Sequence, residues 1–456
     1  MKEIISVLLT FLLIAVVVRL VVKKYNSVFV FLTSGILVLL AASLITGTSI
    51  LGDATIGNAS LDVFVFVKDT FISNASGTGM TLMMVTGYAL YMSHMGASTK
   101  LAELATKPLS KIKNPYVVLS LVFILGCMLK LVITSHSGLS MLLVATTLPI
   151  LLKLGISRLS AAVVMIFAGF CDWGPNDSSA IFAAEKVSGM TIMEYFMSFQ
   201  GKVVAILILF LAIFLPIYLS RIDKKLAGSE DVSNSEDLKV EESNCPAFYA
   251  VLPIVPLVLI TIFSFIDTIN MDVITANVIG LSIAFLLEMI RRKDRREVCD
   301  DLNVVLKAMG TCFANIVSIL IGAAVFAEAI KLLGGITIVS NLLASVASSP
   351  LITMTLMSLI TFGAGMLLGS GNASWYAFGP LVPDVASQMG VSATTICLPM
   401  QLSSGVGRCV SPVAGAIIAV AGMVGVDQMK LIKACALPAA LVFIINMLVS
   451  YLVVMM

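Results

Sequence analysis

Charge is scarce in this sequence: 12% of its 456 residues are Asp, Glu, Lys or Arg, and the formal net charge is +2. A water-soluble protein of that length needs a far more polar surface, and a nearly neutral chain gives no reason to expect nucleic acid. Histidine is scarcer still, with only His94 and His136. The eight cysteines are scattered, with no C-x-x-C pair and no histidine pair nearby, which argues against a metal site or a disulfide framework and leaves them as small apolar packing residues. Aromatic residues make up 7% and are spread along the chain, as on lipid-facing helices. No nucleotide-binding loop, metal-ligand spacing or nucleophile–base set appears. No cofactor is therefore expected, an enzyme is disfavoured, and any energy must come from a gradient.

What the chain does have is apolar length. Mean hydropathy is +1.07, and runs long enough to cross a bilayer fall at 4–22, 27–44, 80–95, 203–219, 247–265, 273–290, 309–330 and 432–454. The pattern predicts an all-α polytopic membrane protein. The first run follows Met1-Lys2-Glu3 in the manner of a signal peptide, but Lys23-Lys24 stand where small cleavage-site residues are needed, so it is expected to be retained. Residues 97–113 space Lys100, Glu103, Lys107, Lys111 and Lys113 among leucines and alanines, the pattern of a helix lying in the membrane interface. Residues 221–246 form the one clearly soluble stretch and read as a flexible cytoplasmic linker.

Four interruptions stand inside apolar segments. Thr134-Ser135-His136-Ser137-Gly138 divides 115–154, and Gly369-Ser370-Gly371-Asn372-Ala373-Ser374 divides 350–388. Cys171-Asp172-Trp173-Gly174-Pro175-Asn176-Asp177 breaks 158–185, and 403–412 breaks 393–423. Irregular backbone at membrane depth survives only where protein or a water-filled cavity satisfies it, and such breaks point to a transporter's binding site. An offset of 235 positions carries Gly87 to Gly322, Asn114-Pro115 to Ser349-Pro350, Ser135 to Ser370, and Gly155-Ile156-Ser157 to Gly390-Val391-Ser392. Residues 1–220 and 247–456 thus read as two repeats. Each would hold five transmembrane helices, one of them broken at the midplane (158–185 and 393–423), and a re-entrant hairpin (115–154 and 350–388). The odd number of crossings inverts the second repeat, and the distribution of basic residues puts the linker side in the cytoplasm with both termini outside.

The two hairpin tips and two breaks are expected to converge on a substrate. Ser135, His136, Ser137, Gly138, Gly369, Ser370, Gly371 and Asn372 offer amides and side-chain donors at helix N-termini, where anions are favoured. Asn176, Ser404, Gly407, Arg408 and Ser411 come from the breaks. Glycine and serine also serve as close-packing residues, and His136 equally suits a hydrogen-bonded structural role. Arg408 is the most informative charge: an arginine at bilayer depth costs roughly 2.5–3.5 kcal/mol and must have an anion. That anion is either the substrate or, statically, Asp172 or Asp177. If a dianionic substrate takes Arg408, the two aspartates can carry protons and couple ion movement to transport; alternatively they accept from unwound backbone amides. Lys130 is a candidate for a second positive charge or for pairing with an aspartate. Glu328 and Gln401 read as helix-packing polar groups, and the glycosylation triplet at Asn372 is out of reach at membrane depth.

At these residues the chain resembles the anaerobic C4-dicarboxylate carrier family of Dcu type C. The resemblance runs over most of the length and is most specific at 87–97, 247–250, 369–373, 407–408 with 411–413, and 419–423. It implies a carrier for succinate, fumarate or malate in a bacterial inner membrane, chiefly exporting succinate. It further implies elevator-type alternating access and a homodimer; the coupling ion, protons by way of the aspartates or sodium, stays open. Two alternatives on the same architecture stay open: a cation/proton antiporter with Asp172 and Asp177 as its ion site, and a carrier of another organic anion.

Overall fold

The computed structural model describes residues 13, 16–17, 19–20, 23, 25–226, 245–266, 268–269, 271–333 and 350–455. Among them all regular structure is helical, and seven helices are long and apolar enough to cross a membrane. The run expected at 4–22 and the linker expected at 221–246 fall mostly outside the described residues. Helix starts are set by side chains. Asn26 caps Ser27–Thr46 by accepting from the amides of Val28 and Phe29. Asn114 does the same for Pro115–Leu129, whose first position is a proline that needs no hydrogen-bond partner for its nitrogen.

Two helices depart from the hydropathy pattern. No span is predicted between 44 and 80, yet Ala59–Ser76 is helical and continues past Gly77 into Thr78–His94. Asp62, Lys68 and Asp69 hide it from a hydropathy window. The buried Asp62 carboxylate is satisfied by the Thr55 hydroxyl at 2.5 Å and the Ile56 amide at 2.9 Å. Likewise the span expected at 309–330 is the latter part of a 38-residue stretch, Arg295–Leu332. At 1.5 Å per residue that stretch is about 57 Å long against roughly 30 Å of hydrocarbon, so part of its charged first half stands outside the apolar layer. The two long stretches run antiparallel. His94 Nε2 lies 3.0 Å from Asp301 Oδ1 at one end, and the rings of Phe71 and Phe313 meet edge to face at 5.7 Å further along.

The innermost elements are the ones that carry the breaks. Every residue from Ser160 to Phe167 of the Arg158–Phe167 helix is buried, as is every residue from Thr394 onward in Ala393–Arg408. A helix enclosed on all sides belongs to a core. Phe123, Leu139, Phe170 and Trp375 join them in one apolar cluster. Two helix–turn–helix segments flank this body: Pro115–Leu129 with His136–Lys153, and Pro350–Leu368 with Gly371–Phe378.

The first break occupies residues 168–177, between Phe167 and the short helix Ser178–Ile181. The second is shorter than the sequence pattern suggests. It is expected to open at Ser403, but the helix continues through Arg408, and the next begins at Gly415. Ser404 Oγ returns to the Gln401 carbonyl at 2.6 Å, so the hydroxyl does not compete for other backbone. The small residues instead admit the neighbouring helix: a Cβ on Gly407 would sit 2.2 Å from the Phe362 carbonyl oxygen. Of the eight cysteines expected to be packing residues, seven are buried and Cys299 is exposed on the charged helix Arg295–Cys312.

Candidate functional site

Three elements bring four charges together. Lys130 ends the Pro115–Leu129 limb, Asp172 and Asp177 lie in the first break, and Arg408 is the last residue of Ala393–Arg408. Lys130 Nζ is 2.9 Å from Asp172 Oδ1 and 3.1 Å from Asp177 Oδ2, and it also donates to the Thr134 carbonyl at 2.6 Å. Arg408 takes both Asp172 oxygens, Nη1 at 2.7 Å and Nη2 at 2.8 Å, and Nη2 also donates to Gly169 O at 2.9 Å. Exposure is 0% for Lys130, 2% for each aspartate and 6% for Arg408. Two cations and two carboxylates cancel. At such burial they must, because removing one partner of a buried pair costs about 3–5 kcal/mol.

This geometry decides between alternatives that the sequence leaves open. Arg408 is not a vacant guanidinium here: the bidentate fork is closed on Asp172, and only its buried Nε has no hydrogen-bond partner. Lys130 pairs with both aspartates rather than standing apart as a second free charge. Asp177 also caps the Ser178–Ile181 helix, its Oδ1 accepting from the amides of Ser179 at 2.9 Å and Ala180 at 3.3 Å.

The hairpin tips sit beside this cluster. Ser135 caps the His136–Lys153 helix by accepting from Gly138 N, and Ser370 caps Gly371–Phe378 by accepting from Ala373 N. His136 is buried, its Nε2–H donating to Ile166 O at 3.0 Å, with its ring against Gly169. Gly369 has φ +70°, and a Cβ there would lie 2.8 Å from the backbone of Val413 and Ala414. Glycine is thus required at that turn both by conformation and by close approach. Gly371 packs on Ser404 O, and Gly415 lies beside Ser137 Oγ. The N-terminus of Gly415–Val424, which no side chain caps, therefore lies between the two tips. Ser135 and Gly415 are exposed, and Ser137, Gly138, Ser370 and Asn372 are partly so; Asn372 Oδ1 has no partner.

Other expected contributors face elsewhere. The Ser404 hydroxyl is spent on its own helix and Ser411 Oγ on the Val413 amide at 3.2 Å. Asn176 Oδ1 accepts from Asn277 Nδ2 at 2.9 Å. A crevice of about 960 Å3 lined by Glu185, Met190, Glu194, Phe263 and Asp272 lies apart from the charged cluster.

Sequence reasoning missed a second layer. Gln200, Tyr195, Asn277, Trp375 and Tyr376 all bond to the first break, to the short helix that follows it or to Gln401. Trp375 Nε1 donates to Ser179 O at 3.2 Å, and Tyr376 Oη bonds to Ser178 Oγ at 3.1 Å. A usable signal was present for one of them: Gln200 is the single amide side chain in the apolar stretch Ile192–Lys225.

Comparison with known proteins places the chain in a family of transporters. Residues 1–455 match the model of a family described as the C4-dicarboxylate anaerobic carrier, DcuC. The chain is similar to the anaerobic C4-dicarboxylate transporter DcuC of Escherichia coli strain K12, at 32% identity over 100% of this chain and 98% of that protein. It is similar to a probable anaerobic C4-dicarboxylate transporter DcuC of Vibrio cholerae at 30% identity, covering 92% of each. Among solved structures it shares its fold with the Neisseria gonorrhoeae MtrF protein, with TM-score 0.64 and 15% identity over 94% of this chain and 95% of that one. The Alcanivorax borkumensis YdaH transporter has the same fold at TM-score 0.57 and 13% identity, over 93% and 97%.

Proposed function

The chain belongs to the anaerobic C4-dicarboxylate carrier family, and from that membership we propose that it is a secondary carrier of succinate, fumarate and malate, exporting or exchanging succinate coupled to protons. The observation that carries this reading is the balanced buried cluster of Lys130, Asp172, Asp177 and Arg408 beneath three converging helix N-termini. Helix N-termini favour anions, and the partly accessible Ser135, Ser137, Ser370 and Asn372 supply polar contacts. A dicarboxylate brings the same two groups that Asp172 and Asp177 already present to the cations. When its carboxylates take Arg408 and Lys130, the displaced aspartates each take up a proton, so the buried charge stays at zero. Leaving them ionised would bury two uncompensated charges.

The same reading extends to the two repeats. Serines 235 positions apart cap equivalent helices, Ser135 with Ser370 and Ser157 with Ser392, and the broken spans follow at the same offset. The hairpins and broken spans form the moving body and the long antiparallel stretches the frame, in an elevator-like cycle within a homodimer of the bacterial inner membrane, both termini outside.

Counterflow in proteoliposomes tests the substrate: labelled succinate is chased with fumarate, malate, citrate, lactate or sulfate, with pH and sodium varied. C4-dicarboxylates alone should drive exchange. One observation favours the cation/proton antiporter instead, namely that Arg408 is already fully bidentate to Asp172. Cation-driven proton flux with no succinate exchange would establish that alternative.

A further inference from the structure

Two glutamines stand in the core with every polar atom engaged. Gln401 and Gln200 are both 0% exposed. Gln401 Nε2 donates to Asp172 O at 2.7 Å and to Ser179 Oγ at 3.1 Å. Its Oε1 accepts from Gln200 Nε2 at 2.9 Å and from Tyr195 Oη at 3.1 Å. Gln200 Oε1 accepts from the Gly174 amide at 3.0 Å, and its Nε2 also reaches Asp172 O at 3.4 Å. A carbonyl can only accept and an amide N–H can only donate, so these partners fix both side-chain orientations.

Gln401 lies seven residues before Arg408 in one helix, two turns away on the same face. That face grips Asp172 twice, at its carboxylate through Arg408 and at its carbonyl through Gln401. The other Gln401 proton reaches Ser179, just beyond Asp177, so one amide clamps both ends of the segment that carries both carboxylates. Gln200, from the helical stretch before Gly201–Leu226, pins the middle at Gly174. Unwound backbone has no helical partners of its own, so without these amides the Asp172 carbonyl and Gly174 N–H would be buried unpaired.

We propose that Gln401, assisted by Gln200, is a positioning residue for transport: it fixes the spacing of Asp172 and Asp177 against Lys130 and Arg408. This rests on the dicarboxylate reading of the same cluster. Neither glutamine touches the reacting groups; each acts through the backbone of the break. Because the clamp spans the first break and the helix before the second, it couples the two halves where the charges meet.

The test uses the full-length carrier with Gln401→Met, which keeps length and loses all four bonds, and Gln401→Glu, which keeps the acceptor and loses the donors. KM for succinate, maximal rate per folded molecule and the pH profile of uptake are measured in proteoliposomes from monodisperse protein. Positioning predicts a KM raised about tenfold or more, or a displaced pH profile, in both variants, with Gln401→Glu no closer to wild type than Gln401→Met. A lower yield of folded protein, with KM, rate per folded molecule and pH profile all at wild-type values, overturns the proposal, because a packing amide affects only the amount of folded protein. If neither Gln401 variant is monodisperse, Gln200→Met decides by the same readouts. Wild-type protein that exchanges no dicarboxylate overturns the underlying reading, and this inference with it.

Discussion

Replacing Asp172 by Asn keeps the shape of the side chain and removes its charge from a site where it meets Lys130 at 2.9 Å and Arg408 at 2.7 and 2.8 Å. The cluster is then left with two cations and only Asp177. An uncompensated buried charge of that kind costs about 3–5 kcal/mol, read as a loss of several degrees in melting temperature. Lys130→Met alone should cost a similar amount with the opposite sign of residual charge. The double variant restores neutrality and should cost about 0.5–3 kcal/mol less than the two single changes added together, the range for residues in one ion-pair network. The assay is melting of purified protein in detergent, followed for the four members of the cycle. In proteoliposomes Asp172→Asn should retain succinate exchange with a weaker dependence on pH, since one of the two proton carriers is gone and Asp177 remains. Additive melting shifts, or an Asp172→Asn carrier as stable and as pH-responsive as wild type, would refute the reasoning.

Arg408→Ala should lower succinate counterflow roughly 30-fold or more, from the 2–5 kcal/mol attached to truncating one partner of a buried charge pair; an antiporter would keep its cation-driven proton flux. Gly407→Ala places a methyl 2.2 Å from Phe362 O, and overpacking of about 1–3 kcal/mol should reduce the yield of monodisperse protein before any assay of transport. Ser370→Ala removes the cap on Ala373 N at 3.2 Å; it should cost about 0.5–2 kcal/mol and raise KM for succinate more than it lowers the melting temperature.

Much of the fold was legible because the membrane makes polar interruptions expensive. Ser135 and Ser370 stood out in apolar runs, and both cap helices that start within one residue of them. Hydropathy failed where charge and helix coincide: Asp62, Lys68 and Asp69 concealed Ala59–Ser76, and the arginines and aspartates before Met309 concealed the start of Arg295–Cys312. Around Ser403 the error ran the other way, since serine and glycine can mark a break or a tight helix contact, and the proximity of Phe362 decides which. Within the site, the sequence named all four charged residues but left open whether the cations pair with the aspartates or with a substrate. Asp172 and Arg408 are 236 positions apart, and only the packing of Ala393–Arg408 against the first break determines that they meet. Gln200 could be noticed as the lone amide of its apolar stretch, but its role could not, because it bonds backbone atoms of Asp172 and Gly174, which carry no compositional signal, and the distant Gln401.

The central claim is that substrate carboxylates and Asp172 with Asp177 compete for the same two cations. Its most direct test counts protons taken up with each labelled succinate entering proteoliposomes, at several membrane potentials. The account predicts two protons per dianion, one for each displaced aspartate, and uptake indifferent to potential. Succinate entry with no accompanying protons, or entry that drives net charge across the membrane, would contradict it.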